Sequence, residues 1–412
     1  MEDRFQFDNR LKGIFGAVTI VGLLLAIIGY FGGDVNEHRA WGTYLSSTMF
    51  FLFAGLSGTA LLALQYVSNA GWSVGFKRIF EAMSNYAFIG FITLLLVVGF
   101  GIEFIYHQWA DPRLMDPDSD IYDPIVHGKE TWLNIPFFVS RFFVFFAIAL
   151  PFVYMFRQLS LSQDATGHGL HYFKRMKKYS IAFIVIFAFA LTMFSMDMIM
   201  TIDSHWYSTI FSIYIFAGML ITGMAITILT TIFLKNRGHL KFITEEHFHD
   251  LGKFLFGFCI FWTYLWLSQF LLIWYADLPE TNIYYLMRWE GGWEIFFFGN
   301  LILTFVIPFL FLMTKDAKRN LTMLGTVAVI ALIGRFLDVY QMILPGATRP
   351  MGTNELESPF EFSYYAQFGL YEIGSVLFFG GIFLFVFAYS LSKVNLYPPY
   401  HPHLEEAKHH EA

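Results

Sequence analysis

The chain has 412 residues, 56% of them hydrophobic, 20% aromatic and only 14% charged, with a mean hydropathy of +0.54 and a formal net charge of −6. A soluble domain carries roughly 25% charged residues, so this composition excludes a protein solvated mainly by water, and no nucleic acid is expected among its partners. The single cysteine, Cys259, excludes a disulfide, a cysteine-ligated iron–sulfur cluster and a CxxCH haem attachment within the chain.

A bilayer core of about 30 Å needs on the order of 20 apolar residues per helix. Ten runs meet that length, at 12–31, 41–68, 80–106, 134–157, 178–202, 208–234, 250–276, 293–314, 320–344 and 366–391. The alternating ten-residue segments of a β-barrel are not seen. The expected fold is an all-α integral membrane protein with ten transmembrane helices. The N-terminal MEDRFQFDNRLK is partly acidic and no small-residue cleavage site follows the first run, so that run is expected to stay as a helix.

The second run opens 41-WGTYLSSTMFFLFAGLSG-58 and the sixth opens 206-WYSTIFSIYIFAGMLITG-223. Both begin with Trp and share Phe-Ala-Gly further on. The likeness predicts two four-helix bundles in parallel repeat, 41–202 and 206–344, with the first helix and the last, 366–391, flanking them. Small residues at those positions also suit ordinary close helix packing.

Orientation follows from the basic residues. The N-terminal segment, alternate loops and the C-terminal tail hold 18 of the 26 Lys and Arg. The opposite loops hold only Arg39, Arg113, Lys129, Arg288 and Arg349, and include the acidic 111-DPRLMDPDSDIYD-123. The positive-inside rule therefore places both termini in the cytoplasm. The long loops 107–133 and 345–365 then face outward, long enough for short interfacial helices or a docking partner.

Ionisable residues inside membrane helices are functional-site hypotheses by default. Here they gather toward the outer half. Glu103 and His107 at i, i+4 end the third helix, and Arg141 lies about two turns into the fourth. Asp197 is near the end of the fifth, in 195-SMDMIMTIDSHWYSTIF-211, where Asp203 and His205 follow at the water boundary. Arg335 and Asp338 at i, i+3 share a face of the ninth, and Glu372 starts the tenth. The inner halves show fewer such groups, Glu81 and Lys253 being terminal. Two readings stay open: mutually neutralising buried pairs that fix helix register, or a proton path or quinol region, since buried carboxylates beside arginine can exchange protons. No histidine lies deep in a run, so the chain is expected to hold no haem, metal or other redox centre of its own; partners would carry them.

The stretches 195-SMDMIMTIDSHWYSTIFSIYIFAG-218, 269-QFLLIWYADLPE-280 and 334-GRFLDVYQMILPG-346 together resemble the ActF-type membrane subunits of bacterial alternative complex III, a quinol:electron-acceptor oxidoreductase. These are relatives of the NrfD-type polysulfide-reductase membrane anchor. The resemblance implies a multi-pass protein of the bacterial cytoplasmic (inner) membrane. It implies a sister NrfD-like membrane subunit, extracytoplasmic iron–sulfur and haem c subunits, and a cytochrome c or terminal oxidase as acceptor. Menaquinol or another quinol would be the substrate of the complex, and proton translocation is a role proposed for such chains. By the same resemblance, Asp197 and 206–209 lie in the region equivalent to the quinol-site helix of the sister subunit. The sister reads closer to Gly-Trp-His where this chain has His205-Trp206-Tyr207, so a different polar group follows the Trp. A passive anchor for redox subunits and a stand-alone secondary transporter are the alternatives.

Overall fold

The computed structural model describes residues 3–33, 35–349 and 366–410. Among them, ten helices are long and apolar enough to cross a membrane: α1 (Asn9–Gly32), α2 (Glu37–Val67), α3 (Gly71–Ile105), α4 (Ile135–Thr166), α5 (Gly169–Ile202), α6 (Phe211–Asn236), α7 (Glu245–Ala276), α8 (Trp293–Phe311), α9 (Leu321–Ala347) and α10 (Leu370–Ser392). The all-α membrane fold expected from hydropathy is therefore present. Polar side chains set several starts. Asp8, Asn36, Asn134 and Asn320 each accept a hydrogen bond from a first-turn backbone N–H of α1, α2, α4 and α9, satisfying donors that have no partner in the helix. Gly167, at φ +72°, turns the chain from α4 into α5.

The core is built around α2. In its most apolar stretch 94% of residues are buried, against 11% for α1, and it touches α3, α5, α6, α9 and α10. Neighbour contacts run α2–α3–α4–α5 and back to α2, and α6–α7–α8–α9 and back to α6, with α2–α6, α2–α9 and α5–α6 contacts joining the two groups. α1 leans on α10. There the backbones approach so closely that a Cβ on Gly22 would lie 2.3 Å from the Phe378 nitrogen, and one on Gly374 2.3 Å from the Ala26 nitrogen, the small-residue seam by which apolar helices associate in lipid. Phe31, Phe189, Tyr275 and Ile295 stand exposed around the outside, where hydrocarbon would solvate them.

One end of the bundle carries the start of α1 and the end of α10 (the termini end). The other carries the loop 106–134 and the junction 203–210 (the far end). Three helices run nine residues further at the termini end than hydropathy predicts: α3 begins at Gly71 rather than 80, α4 continues to Thr166 rather than 157, and α5 begins at Gly169 rather than 178. The added turns are rich in charge, and much of that charge is paired inside the protein. Two helices contain π-helical stretches, Val97–Gly101 in α3 and Ile302–Val306 in α8. The loop 106–134 carries the short helix Pro124–His127. Of the segment 345–365, residues 350–365 lie outside the described ones.

Candidate functional site

The far-end charges form separate ion pairs, most of which join different parts of the chain. Arg141 of α4 donates through Nε to Oδ2 of Asp197 on α5 at 2.8 Å. The same guanidinium donates to the Trp132 carbonyl at 3.1 Å and lies over the Trp132 and Phe137 rings. Both side chains are buried, 9% and 3% exposed. The second oxygen of Asp197, Oδ1, accepts no hydrogen bond of normal geometry, although the Trp132 side chain lies against the same carboxylate.

Asp338 of α9 is fully buried and better supplied. Its Oδ1 accepts from the Tyr214 hydroxyl of α6, from Asn300 Nδ2 of α8 at 2.6 Å and from Gln341 Nε2 at 3.1 Å. Arg335 Nη1 lies 2.6 Å from Oδ2, a charge contact without hydrogen-bond alignment, since neither atom has a partner of normal hydrogen-bond geometry. The Arg335 guanidinium sits 5.1 Å from the Trp262 ring centroid and takes the space a side chain on Gly218 would fill: a Cβ there would be 2.0 Å from Nη2. Gly218 and Gly55, which share the Phe-Ala-Gly sequence of α6 and α2, thus meet different neighbours, Gly55 facing α3. Thr304, in the π-helical stretch of α8, donates to Asn300 Oδ1 at 2.8 Å, extending the polar set toward the middle of the bundle.

Two more pairs lie at the far end. Arg39, at the start of α2, grips Glu372 of α10 through two 2.8 Å hydrogen bonds, Nε to Oε1 and Nη2 to Oε2. The Gly369 N–H adds a third to Oε2 at 2.8 Å. Arg288, only 1% exposed, donates to Asp203 at 3.1 Å and to the carbonyls of Tyr284, Gln341 and Met342. It lies 3.5 Å from the Tyr284 ring centroid, and that ring stacks on Trp206 at 3.8 Å. Three of the five basic residues that hydropathy puts in the far-end loops, Arg39, Arg288 and Arg349, are thus drawn into the protein.

His205 reaches Asp123 of the acidic loop at 2.5 Å. Burial alone would raise the Asp123 carboxyl, but the His205 hydrogen bond and the N–H groups of Val126 and Ile125 outweigh it and hold the carboxyl below its usual range. Glu103 and His107 do not share a face. The backbone leaves helical geometry at Tyr106, φ −106° and ψ +24°, so Glu103 is exposed while His107 is buried. The His107 ring lies between two carbonyls, Phe104 at 3.1 Å and Arg349 at 2.5 Å; burial is the largest influence on it and pushes its pKa down.

The termini end holds a buried charge network that hydropathy did not reveal. Glu81, expected at a helix end, sits about three turns into α3 and is 2% exposed. It accepts from Arg78 at 2.7 Å and from Arg157 of α4 at 2.8 Å. Arg78 also donates to Ser160 at 2.7 Å and pairs with Asp164. Lys77 donates to Gln163 at 2.9 Å. The i, i+4 spacing of Lys77 and Glu81, and of Ser160 and Asp164, was the available signal. Among the described residues, no group of three or more His, Cys, Asp and Glu side chains is arranged to hold a metal ion.

No family model matches the chain, and no curated protein matches it.

Proposed function

We propose that the chain is a cofactor-free membrane subunit of a quinol-oxidising respiratory complex of alternative complex III type, lying in a bacterial cytoplasmic membrane with both termini inside. In this reading it is NrfD-like and built of two repeated four-helix units. It works beside a sister membrane subunit and extracytoplasmic iron–sulfur and haem c subunits, which hold the cofactors and pass electrons to a cytochrome c or a terminal oxidase. Quinol oxidation releases two electrons and two protons, so the membrane part must handle protons on the side where the cofactors lie.

The observation that carries the reading is Asp197. It is buried near the far end of α5, within the stretch that resembles the family, with one oxygen paired to Arg141 and the other without a hydrogen bond of normal geometry. A proton on that second oxygen would neutralise the carboxylate yet leave the Arg141 Nε hydrogen bond to Oδ2 in place. Asp338 has three donors on one oxygen and a guanidinium on the other, an arrangement suited to a permanent charge. In the assembled complex, with co-purifying subunits as the check on assembly, Asp197→Asn should lower quinol turnover by about tenfold or more, or lower the number of protons released on the far-end side per electron. Unchanged values for both quantities would remove the proton role.

A second reading, a passive anchor for the redox subunits, is favoured by the Arg39–Glu372 and Arg288–Asp203 pairs, whose groups are largely satisfied and sit at helix and loop junctions. In that case no intramembrane carboxylate affects turnover beyond its effect on folding.

A further inference from the structure

In the termini-end network basic groups outnumber acidic ones: Lys77, Arg78 and Arg157 face two carboxylates, Glu81 and Asp164. Next to it is a cavity of about 20 Å³, open on one side. That volume is room for one water-sized group. Its polar lining is Gln65, Tyr66, Asn69, Ser73, Lys77, His401 and His403, and the nearby Glu406 carboxylate is held by His403 at 2.8 Å. Tyr66 is 4% exposed and its hydroxyl has no protein partner. Lys77, 3% exposed, lies 5.5 Å from the Tyr66 ring centroid. The His403 N–H donates to Nδ1 of His401 at 3.3 Å, which leaves the ring proton on Nε2 as a second donor. His401 stays neutral, because burial first, then Lys77, His403 and Arg78, push its pKa down to about 2.

From this geometry we infer that the cavity is a binding site for a phosphate oxyanion, with one oxygen seated among Tyr66, Lys77 and His401 and the remainder at the open side beside Asn69. An uncommitted phenol hydroxyl, an ammonium and a neutral imidazole N–H are all donors, and an anion supplies the acceptor and the missing negative charge together. Basic pockets between membrane helices at the headgroup level take lipid phosphates in this way; a free phosphate ion offers the same oxygen. The site is at the opposite end of the molecule from Asp197 and stands or falls independently of the function proposed above.

The full-length protein in a neutral detergent, followed by thermal unfolding, tests the site with two probes: inorganic phosphate against chloride at matched ionic strength, and phosphatidylglycerol against a diacylglycerol, which lacks the phosphate, in mixed micelles. Stabilisation by both phosphate and phosphatidylglycerol indicates a free-phosphate site that a headgroup can also fill, and stabilisation by phosphatidylglycerol alone indicates a lipid site. Tyr66→Phe removes only a hydroxyl without a partner, so the fold is kept and affinity for the active probe falls about tenfold. Lys77→Gln should abolish the response; if that variant does not fold, Tyr66→Phe and His401→Phe decide. No stabilisation by either probe beyond its control overturns the proposal. So does an affinity unchanged in both Tyr66→Phe and His401→Phe.

Discussion

Arg141 and Asp197 join α4 to α5 through a single buried 2.8 Å hydrogen bond between guanidinium and carboxylate. Removing one partner leaves the other charge buried and uncompensated, which costs about 3–5 kcal/mol, whereas removing both is far milder. Arg141→Gln should therefore lower stability by roughly that amount, and Arg141→Gln with Asp197→Asn should recover most of it. Thermal unfolding of the four forms in detergent gives the coupling directly. Additive losses would mean the pair is not a unit.

Gly218 is expected to tolerate no side chain. A Cβ there enters the space of the Arg335 guanidinium, which is itself held against Asp338 and Trp262. Gly218→Ala should destabilise by about 1–3 kcal/mol, the usual range for overpacking. Gly257, on the exposed side of α7, has nothing within 4 Å of its would-be Cβ, so Gly257→Ala should be neutral or slightly stabilising. Equal unfolding temperatures for the two variants would contradict the packing described around Arg335.

The docked C-terminal tail should loosen in acid because of His401. Its pKa is pushed down to about 2 in place and returns to about 6.5 when the tail is free. The docked form therefore binds fewer protons, so docking is fully favoured above pH 6.5 and weakens as pH falls below it. Between pH 7.5 and 5 the loss is roughly 2 kcal/mol. A spin label at position 405 should become mobile at pH 5 and stay immobile in His401→Phe. The tail's other histidines, His403, His409 and His410, face Glu406, Glu405 and Asp250 and are unchanged in that variant. Equal mobility of the label in the two proteins at pH 5 would rule out His401 as the cause.

Hydropathy alone located all ten helices, because a hydrocarbon solvent leaves a length signal that needs no knowledge of neighbours. It erred where charge is buried in protein rather than exposed to water. Lys77, Arg78, Arg157 and Asp164 read as loop or boundary residues, yet they lie within α3 and α4 and neutralise one another. The Arg335–Asp338 pair was legible because its partners are three residues apart on one helix. Arg39–Glu372 and Arg288–Asp203 were not, since their partners are brought together only by the packing of distant segments. For Glu103 and His107 a regular helix was assumed across Tyr106, where the backbone turns out of helical geometry. Asp197 and Arg141 were both marked out by their depth, but only the fold shows that they meet, and that one oxygen of Asp197 is left over.

The central claim is membership of a quinol-oxidising complex whose cofactors lie in other subunits. Its most direct test is to cross-link intact membranes, purify the chain in mild detergent through an affinity tag, and record the visible spectrum before and after adding a quinol. Co-purifying subunits with haem c bands that quinol reduces are expected. A colourless protein recovered alone after cross-linking would contradict it.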